Sequence, residues 1–171
     1  MEKVLYVGFR VCSLIEEGNP KNHFNPKEIS KLLGTVPTHQ QEYQPNFQGN
    51  PRELIPGTSL RASWIYHVGG KYEISSGDEL FFFVEELMEQ LLNEVLTEKN
   101  RNHIKELRKR YNFTCELHIH HFTDSEYINL VLIPENLIKA LADIDAHLEF
   151  HDHKKPINEY RAYDYKKIFE L

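Results

Sequence analysis

The sequence predicts an α+β fold, in which helices pack against a largely antiparallel β-sheet. Residues 4–15 and 113–122 have the apolar patterns of strands, whereas residues 76–96 repeat apolar residues at helical spacing. Helices interleaved with adjacent strands in this way favour this class. The predicted order is strand-helix-strand-strand-helix-helix-strand-strand-helix-strand. It forms a single domain over residues 1–153, and a tail over residues 154–171 packs back on it or binds a partner.

The composition is that of a globular protein with a sizeable core. The chain has 171 residues, of which 40% are hydrophobic and 27% are charged. A net charge of −6 disfavours nucleic acid as a partner and is compatible with a basic protein. Arg10 interrupts the apolar N-terminus, and no run approaches the ~18 residues of a membrane span. Cys12 and Cys115 lie in strand-like runs and indicate reduced thiols, hence a cytoplasmic protein.

The first elements are a central strand and a short, well-marked helix. Residues 4–15 have apolar side chains at both parities, which is typical of a strand covered on both faces. Residues 25–34 follow as a helix that begins at the N-cap Asn25 and ends at Gly34. Prolines and glycines in residues 43–60 predict a long exposed loop.

A second strand and two helices come next. Residues 61–68 form a strand with Trp64 facing the core, and the Gly69-Gly70 pair predicts a hairpin turn into residues 71–74. The long helix over residues 76–96 has one apolar stripe, and a shorter helix covers about residues 100–110. The stripe consists of Leu80, Val84, Leu87, Leu91 and Val95.

The C-terminal part of the domain repeats the pattern. Residues 113–122 and 127–133 are predicted strands, residues 134–144 a helix and residues 147–151 a last strand. We expect the helices and the sheet to share one core, which contains Ile29, Leu33, Leu87, Leu91 and Ile119.

Three motifs in this order resemble one bacterial family, which is catalogued as domain of unknown function 4279. They are "EISKLLGTVPT" (residues 28–38), a strand with Trp64, and the helix "LFFFVEELMEQLL" (residues 80–92). The resemblance covers residues 4 to 151 in element order; the proline-rich loop and the tail depart from it. It implies an α+β fold without an established enzymatic activity. Some small acidic bacterial proteins of this kind lie in toxin–immunity gene clusters, which suggests an immunity-like binding role.

Histidines are the first candidate site, and they have two interpretations. His118 and His120 lie two apart on a predicted strand, so their side chains share one face, roughly 6.5 to 7 Å apart. If the last strand is adjacent, a third ligand from it would complete a Zn²⁺ site and make the protein a metal-dependent hydrolase. That ligand is His151, or else His147, Glu149 or His153. Alternatively, these histidines are polar positions on the wet face of a half-buried sheet. Because Leu117 and Ile119 must point inward, we expect His118 and His120 to be exposed.

The favoured function is non-catalytic protein binding of an immunity-like or regulatory kind. The long helix is acidic and would attract a basic protein, while an aromatic residue and an arginine on the exposed loop are typical interface anchors. No nucleophile elbow or phosphate loop is present, and no cofactor is expected apart from the Zn²⁺ of the alternative. A third interpretation is a small-ligand sensor near Trp64. The predicted partner-binding residues are Glu85, Glu86, Glu89, Glu94, Phe47 and Arg52.

Overall fold

The computed structural model describes residues 4–14, 23–44, 58–59, 61–73, 77–122 and 133–153. The strands are β1 (Val4–Ser13), β2 (His39–Tyr43), β3 (Thr58–Ser59), β4 (Ser63–Lys71), β5 (Phe113–Phe122) and β6 (Ala146–His153). The helices are α1 (Pro26–Leu33), α2 (Gly77–Glu94), α3 (Glu98–Arg108) and α4 (Glu135–Asp143). All six strands form one sheet in the order β3-β2-β4-β1-β5-β6. The predicted α+β class is confirmed.

The sheet is largely antiparallel, as predicted. The central strand β1 pairs antiparallel with both β4 and β5, and β2 pairs antiparallel with β4. Two parallel pairs lie at the edges, β2 with β3 and β5 with β6. The β5–β6 pair places side by side the two strands on which most of the histidines lie.

One face of the sheet packs against the helices and forms the apolar core. Strand alternation sends Leu5, Val7, Phe9 and Val11 of β1 to this face, where they meet the apolar stripe of α2. The stripe predicted for α2 is buried along its length. The predicted common core is confirmed, because Ile29, Leu33, Leu87, Leu91 and Ile119 all belong to it.

Local signals fix the ends of α1 as predicted. The side-chain oxygen of Asn25 accepts a hydrogen bond from the backbone N–H of Lys27 at 2.9 Å, which satisfies one of the free N–H groups of the first turn. Gly34 follows the helix in the left-handed region at φ 67°, where a residue without Cβ has no steric penalty.

The predicted hairpin turn at Gly69-Gly70 is wrong. Strand β4 continues through both glycines to Lys71, and Gly69 lies opposite Tyr6 of β1. Gly69 has φ 119°, and a Cβ there would lie 2.2 Å from the backbone oxygen of Leu5. The glycine therefore allows the close approach of two backbones rather than a chain reversal.

The predicted loop over residues 43–60 is also partly wrong. Glu42 and Tyr43 at the end of β2 pair with Thr58 and Ser59 of β3. Sequence reasoning did not predict β2, because "HQQEY" lacks the apolar alternation of a half-buried strand.

Some predictions fall outside the described residues. These are most of the strand predicted at residues 127–133, the tail over residues 154–171, and the loop residues Phe47 and Arg52. In the part of the chain that the structure describes, every helix is too short or too polar to cross a membrane.

Candidate functional site

The face of the sheet opposite the helices carries most of the histidines, and we call it the imidazole face. It is built by the strand registers. Gly8 of β1 lies between His67 of β4 and His118 of β5, and one row further along Tyr6 lies beside His120. On β6, Glu149 lies beside His118 and His151 lies beside His120, so both rows continue onto this strand. His153 lies beside Phe122 in a third row.

The expected exposure of His118 and His120 is wrong. The alternation itself holds, because Leu117 and Ile119 point into the helix-side core. However, His118 is only 6% exposed, and His120 is partly buried. The inference failed because alternation decides which residues share a face, but it does not decide whether that face contacts water.

Burial keeps the central imidazoles neutral. It is the largest cause that lowers the pKa values of His67, His118 and His120 from 6.5 to about 3. Neighbouring histidines lower each of these pKa values further, because two imidazolium ions side by side would repel each other. For His67 and His118 the Arg10 guanidinium lowers the pKa as well. The three central rings are therefore neutral at physiological pH.

Gly8 makes room for two of these rings. A Cβ at position 8 would lie 2.4 Å from Cδ2 of His67 and 2.7 Å from Cδ2 of His118. The two rings stack across the glycine, with centroids 5.5 Å apart and an interplanar angle of 23°. A glycine in the middle of a central strand thus has a packing function here.

His120 is the centre of a second group of rings. Its ring stacks on that of His151 at 4.6 Å between centroids, and on that of His153 at 5.3 Å. Nδ1 of His120 and Nε2 of His153 are 3.0 Å apart, which is a hydrogen-bond distance. Phe122 stacks on His153 at 4.3 Å, so the β5–β6 seam on this face consists of stacked rings.

One buried imidazole nitrogen of the imidazole face has no hydrogen-bond partner among the described residues. This atom is Nε2 of His118, which is buried. By contrast, Nδ1 of His67 is 3.0 Å from the hydroxyl of Thr38, which also accepts from the His67 backbone N–H at 3.1 Å. A buried unpaired nitrogen is costly for the fold.

The geometry gives limited support to the predicted zinc site. The two histidine strands are neighbours, as that site required, and His120 lies opposite His151. Nevertheless, the described residues contain no group of three or more His, Cys, Asp or Glu side chains that could hold a metal ion. The Nε2 atom of His151 is 3.1 Å from a carboxylate oxygen of Glu149 instead. A hydrolytic zinc site needs three protein ligands and an open position, and His118, His120 and His151 do not supply that arrangement here.

A buried ion pair lies beside the imidazoles, and sequence reasoning missed it. Nη1 of Arg10 is 3.4 Å from a carboxylate oxygen of Glu116, and both side chains are largely buried. Nη2 of Arg10 also lies 3.4 Å from Sγ of Cys12. The available signal was an arginine inside an apolar strand, since such a charge needs a partner when it is buried.

A second polar group lies on the helix side, near the end of β5, and was also missed. The hydroxyl of Tyr72 is 2.5 Å from Nε2 of His121, and Nδ1 of His121 is 3.8 Å from a carboxylate oxygen of Asp152. Burial, followed by the charge of Asp152, raises the pKa of Tyr72 to about 12. Tyr72 is therefore a protonated phenol at physiological pH.

The predicted acidic surface is present on α2. Glu86 and Glu89 are exposed and Glu85 is partly buried. Glu94 is exposed too, but it accepts hydrogen bonds from the hydroxyl of Tyr66 and from the Gln90 side chain. Sequence reasoning missed the adjacent Phe82, whose side chain is 60% exposed. Since Phe82, Glu86 and Glu89 are spaced by four and three residues, they form one outward stripe.

The carboxylates of this acidic surface lack the ion pairs that several acidic residues elsewhere have. Within the described residues, no carboxylate of Glu85, Glu86 or Glu89 belongs to an ion pair, and α2 itself contains no lysine or arginine. Several carboxylates elsewhere are paired with basic neighbours. These pairs are Glu28–Arg110, Glu42–Lys27, Asp143 with Arg101 and Lys105, Asp145–Arg108, Glu106–Lys109 and Glu135–Lys139.

Trp64 belongs to the core rather than to an open pocket. Its side chain is fully buried, and its indole N–H donates to the hydroxyl of Ser30 at 3.0 Å. The indole thus joins β4 to α1 with its polar atom satisfied. Nothing in this geometry favours the ligand-sensor interpretation.

The fold and the site together define a class: an α+β protein with a single mixed sheet, helices on one face and buried imidazoles on the other. A family model supplies the narrower assignment. The chain belongs to the DUF4279 family, a domain of unknown function, whose model matches residues 4–155. The resemblance noted in the sequence is therefore confirmed. Neither the curated proteins nor the solved structures gave a match to this chain.

Proposed function

We propose that this protein is a non-catalytic binding module, and that the outer surface of α2 binds a basic protein. The observation that supports this proposal is an exposed aromatic ring among carboxylates without ion pairs. Phe82 is 60% exposed, and the described residues provide no basic partner for Glu86 or Glu89 on the same stripe. The complementary surface is an apolar pocket surrounded by lysine and arginine.

Each part of this surface has a separate physical role. The carboxylates attract a basic partner over a distance of about one Debye length, roughly 8 to 10 Å at ordinary salt, and so raise the association rate. The ring of Phe82 would supply the apolar contact that slows dissociation, because large aromatic side chains are typical anchors of interfaces. The surface requires no catalytic group on this chain.

The binding is of an immunity-like or regulatory kind. In the immunity-like form, the partner is an enzyme with a basic substrate cleft, and one molecule of this protein occludes that cleft. We also propose that binding takes place in the cytoplasm. The free, buried thiols of Cys12 and Cys115 support a reducing compartment.

A photo-crosslinking experiment would test the surface. A benzoyl-phenylalanine residue replaces Phe82 in cells of the native host, and crosslinked proteins are identified by mass spectrometry. Val36, which is 83% exposed, takes the same replacement as the control. We expect a basic protein crosslinked from position 82 and not from position 36. Equal products from both positions would contradict the proposal.

The captured protein then allows a quantitative test with matched charge reversals. Reversal of Glu86 and Glu89 to Lys should slow association several-fold, and added salt should remove most of the difference. Glu106 and Glu135 on other helices, reversed to Lys together, give the same change in net charge and should have a much smaller effect. An association rate that responds equally to both double reversals would mean that α2 is not the binding surface. Stoichiometric inhibition of an enzymatic activity of the partner would support the immunity-like form.

A further inference from the structure

Strand β6 forms one edge of the described sheet, and five of its eight residues are exposed. Among the described residues, β6 pairs with β5 alone. Residues 147–150 are all exposed, and they include two large apolar side chains, Leu148 at 49% and Phe150 at 45%. An exposed apolar edge strand is a template for pairing with another strand.

The charged side chains at the centre of β6 are complementary to each other in one register. If two copies of β6 pair antiparallel about Phe150, then Glu149 of each copy lies opposite His151 of the other. Both residues are on the imidazole face, and within one chain they already lie 3.1 Å apart as an acceptor and a ring nitrogen. On the opposite face, the Phe150 ring of one copy meets that of the other, which is a favourable cross-strand pair.

Other registers of the same pairing are worse. A two-fold axis at Glu149 would place two carboxylates directly opposite each other, which is destabilising. An axis at Leu148 also gives a His–Glu pair, but it moves the centre toward one end of the eight-residue strand Ala146–His153 and shortens the ladder. The axis at Phe150 keeps the charge complementarity and most of the strand length together.

We propose that the protein forms a two-fold symmetric dimer by antiparallel pairing of β6 with β6 of a second copy. The two six-stranded sheets become one continuous sheet, and the same surface of each copy contributes to the interface. The edge contributes backbone hydrogen bonds, while Leu148 and Phe150 contribute apolar area. This dimer is independent of the partner surface on α2.

Cysteine crosslinking tests the register directly. Residues opposite each other in an antiparallel pair have Cα atoms about 4.5 to 5.5 Å apart, which is within the range of a disulfide. Phe150→Cys should therefore give a covalent dimer under mild oxidation, and Val36→Cys should not, although Val36 is 83% exposed. The native Cys12 and Cys115 are buried and should not interfere. Failure of position 150 to crosslink more than position 36 would overturn the register.

Exchange of Glu149 and His151 by mutation, followed by sedimentation experiments, tests the dimer without new cysteines. We expect the wild-type protein to sediment as a concentration-dependent dimer. Glu149→His places histidine opposite His151 in both symmetric pairs and should raise the dissociation constant about tenfold. The double variant Glu149→His with His151→Glu again places a glutamate opposite a histidine and should recover most of the affinity. A wild-type monomer at all concentrations, or a double variant no better than the single one, would contradict the proposal.

Discussion

The two faces of strand β5 are both largely buried, but by different physical means. Toward the helices, Leu117 and Ile119 pack among apolar side chains, so the transfer of hydrocarbon from water stabilises them. Toward the other side, His118 and His120 are surrounded by further imidazoles. Both rings gain contacts with other rings, and His120 also gains a hydrogen bond to His153, but both lose hydration. The comparison teaches that a polar strand face is not necessarily a wet one.

This difference has consequences for how each face responds to change. The helix-side face depends on volume, because a lost methylene leaves a cavity. The imidazole face depends on close ring contacts and on protonation, because a charged ring in the same place would be desolvated beside Arg10 and other imidazoles. Substitutions that act on one property should therefore distinguish the two faces.

The largest effect is expected on the helix-side face. Leu91→Ala removes a fully buried side chain of α2, and such truncations cost about 2 to 5 kcal/mol of unfolding free energy. Ile138→Ala is the control, because Ile138 is 52% exposed and should lose much less. Urea unfolding of both variants gives the comparison. Equal midpoints for the two variants would show that the apolar stripe of α2 has been assigned to the wrong face.

A smaller effect is expected on the imidazole face when its packing is tightened. Gly8→Ala introduces a Cβ 2.4 Å from the His67 ring, which forces the stacked rings apart and should cost about 1 to 3 kcal/mol. Gly70→Ala on the neighbouring strand is the matched control, since its Cβ would meet nothing within 4 Å. If thermal unfolding shows equal stability for both alanine variants, the rings over Gly8 are not closely packed.

The sequence predicted the fold class well because its signals are local. The strand at residues 113–122, the caps of α1 and the apolar stripe of α2 each follow from spacing within one element. Gly69-Gly70 misled the prediction, because the same dipeptide suits a hairpin turn and a close approach between strands. Only the pairing with β1, which is not local, decides between these two uses.

The candidate site was less predictable, because it too depends on contacts that are not local in the sequence. That His118 and His120 share a side was predicted from alternation, and the structure adds that His67 lies beyond Gly8 on the same face. The burial of this face depends on tertiary structure, which no window of sequence contains. Phe82 was missed because a run of three phenylalanines in a helix looks like core until the helix is placed on the sheet.

Protonation has the smallest expected effect per pH unit, and it acts specifically on the histidines. The pKa values of His67, His118 and His120 in the folded protein are about 3, below their ordinary value of 6.5. Between these values the unfolded chain binds more protons than the folded one. The contribution of these histidines to stability is therefore fully present above about pH 6.5, and it is lost as the pH decreases. Each histidine contributes a slope on the order of 1 kcal/mol per pH unit. His118→Phe should make the measured slope shallower.

The most direct test of the buried, neutral imidazole face is an NMR titration of the His118 ring in the folded protein. Its signal can be assigned by its loss in His118→Phe. We predict that the ring stays neutral from pH 7.5 down through its ordinary pKa of 6.5 and changes only when the protein unfolds in acid. A His118 signal that titrates with a midpoint near 6.5, while the amide spectrum remains that of the folded protein, would contradict the account.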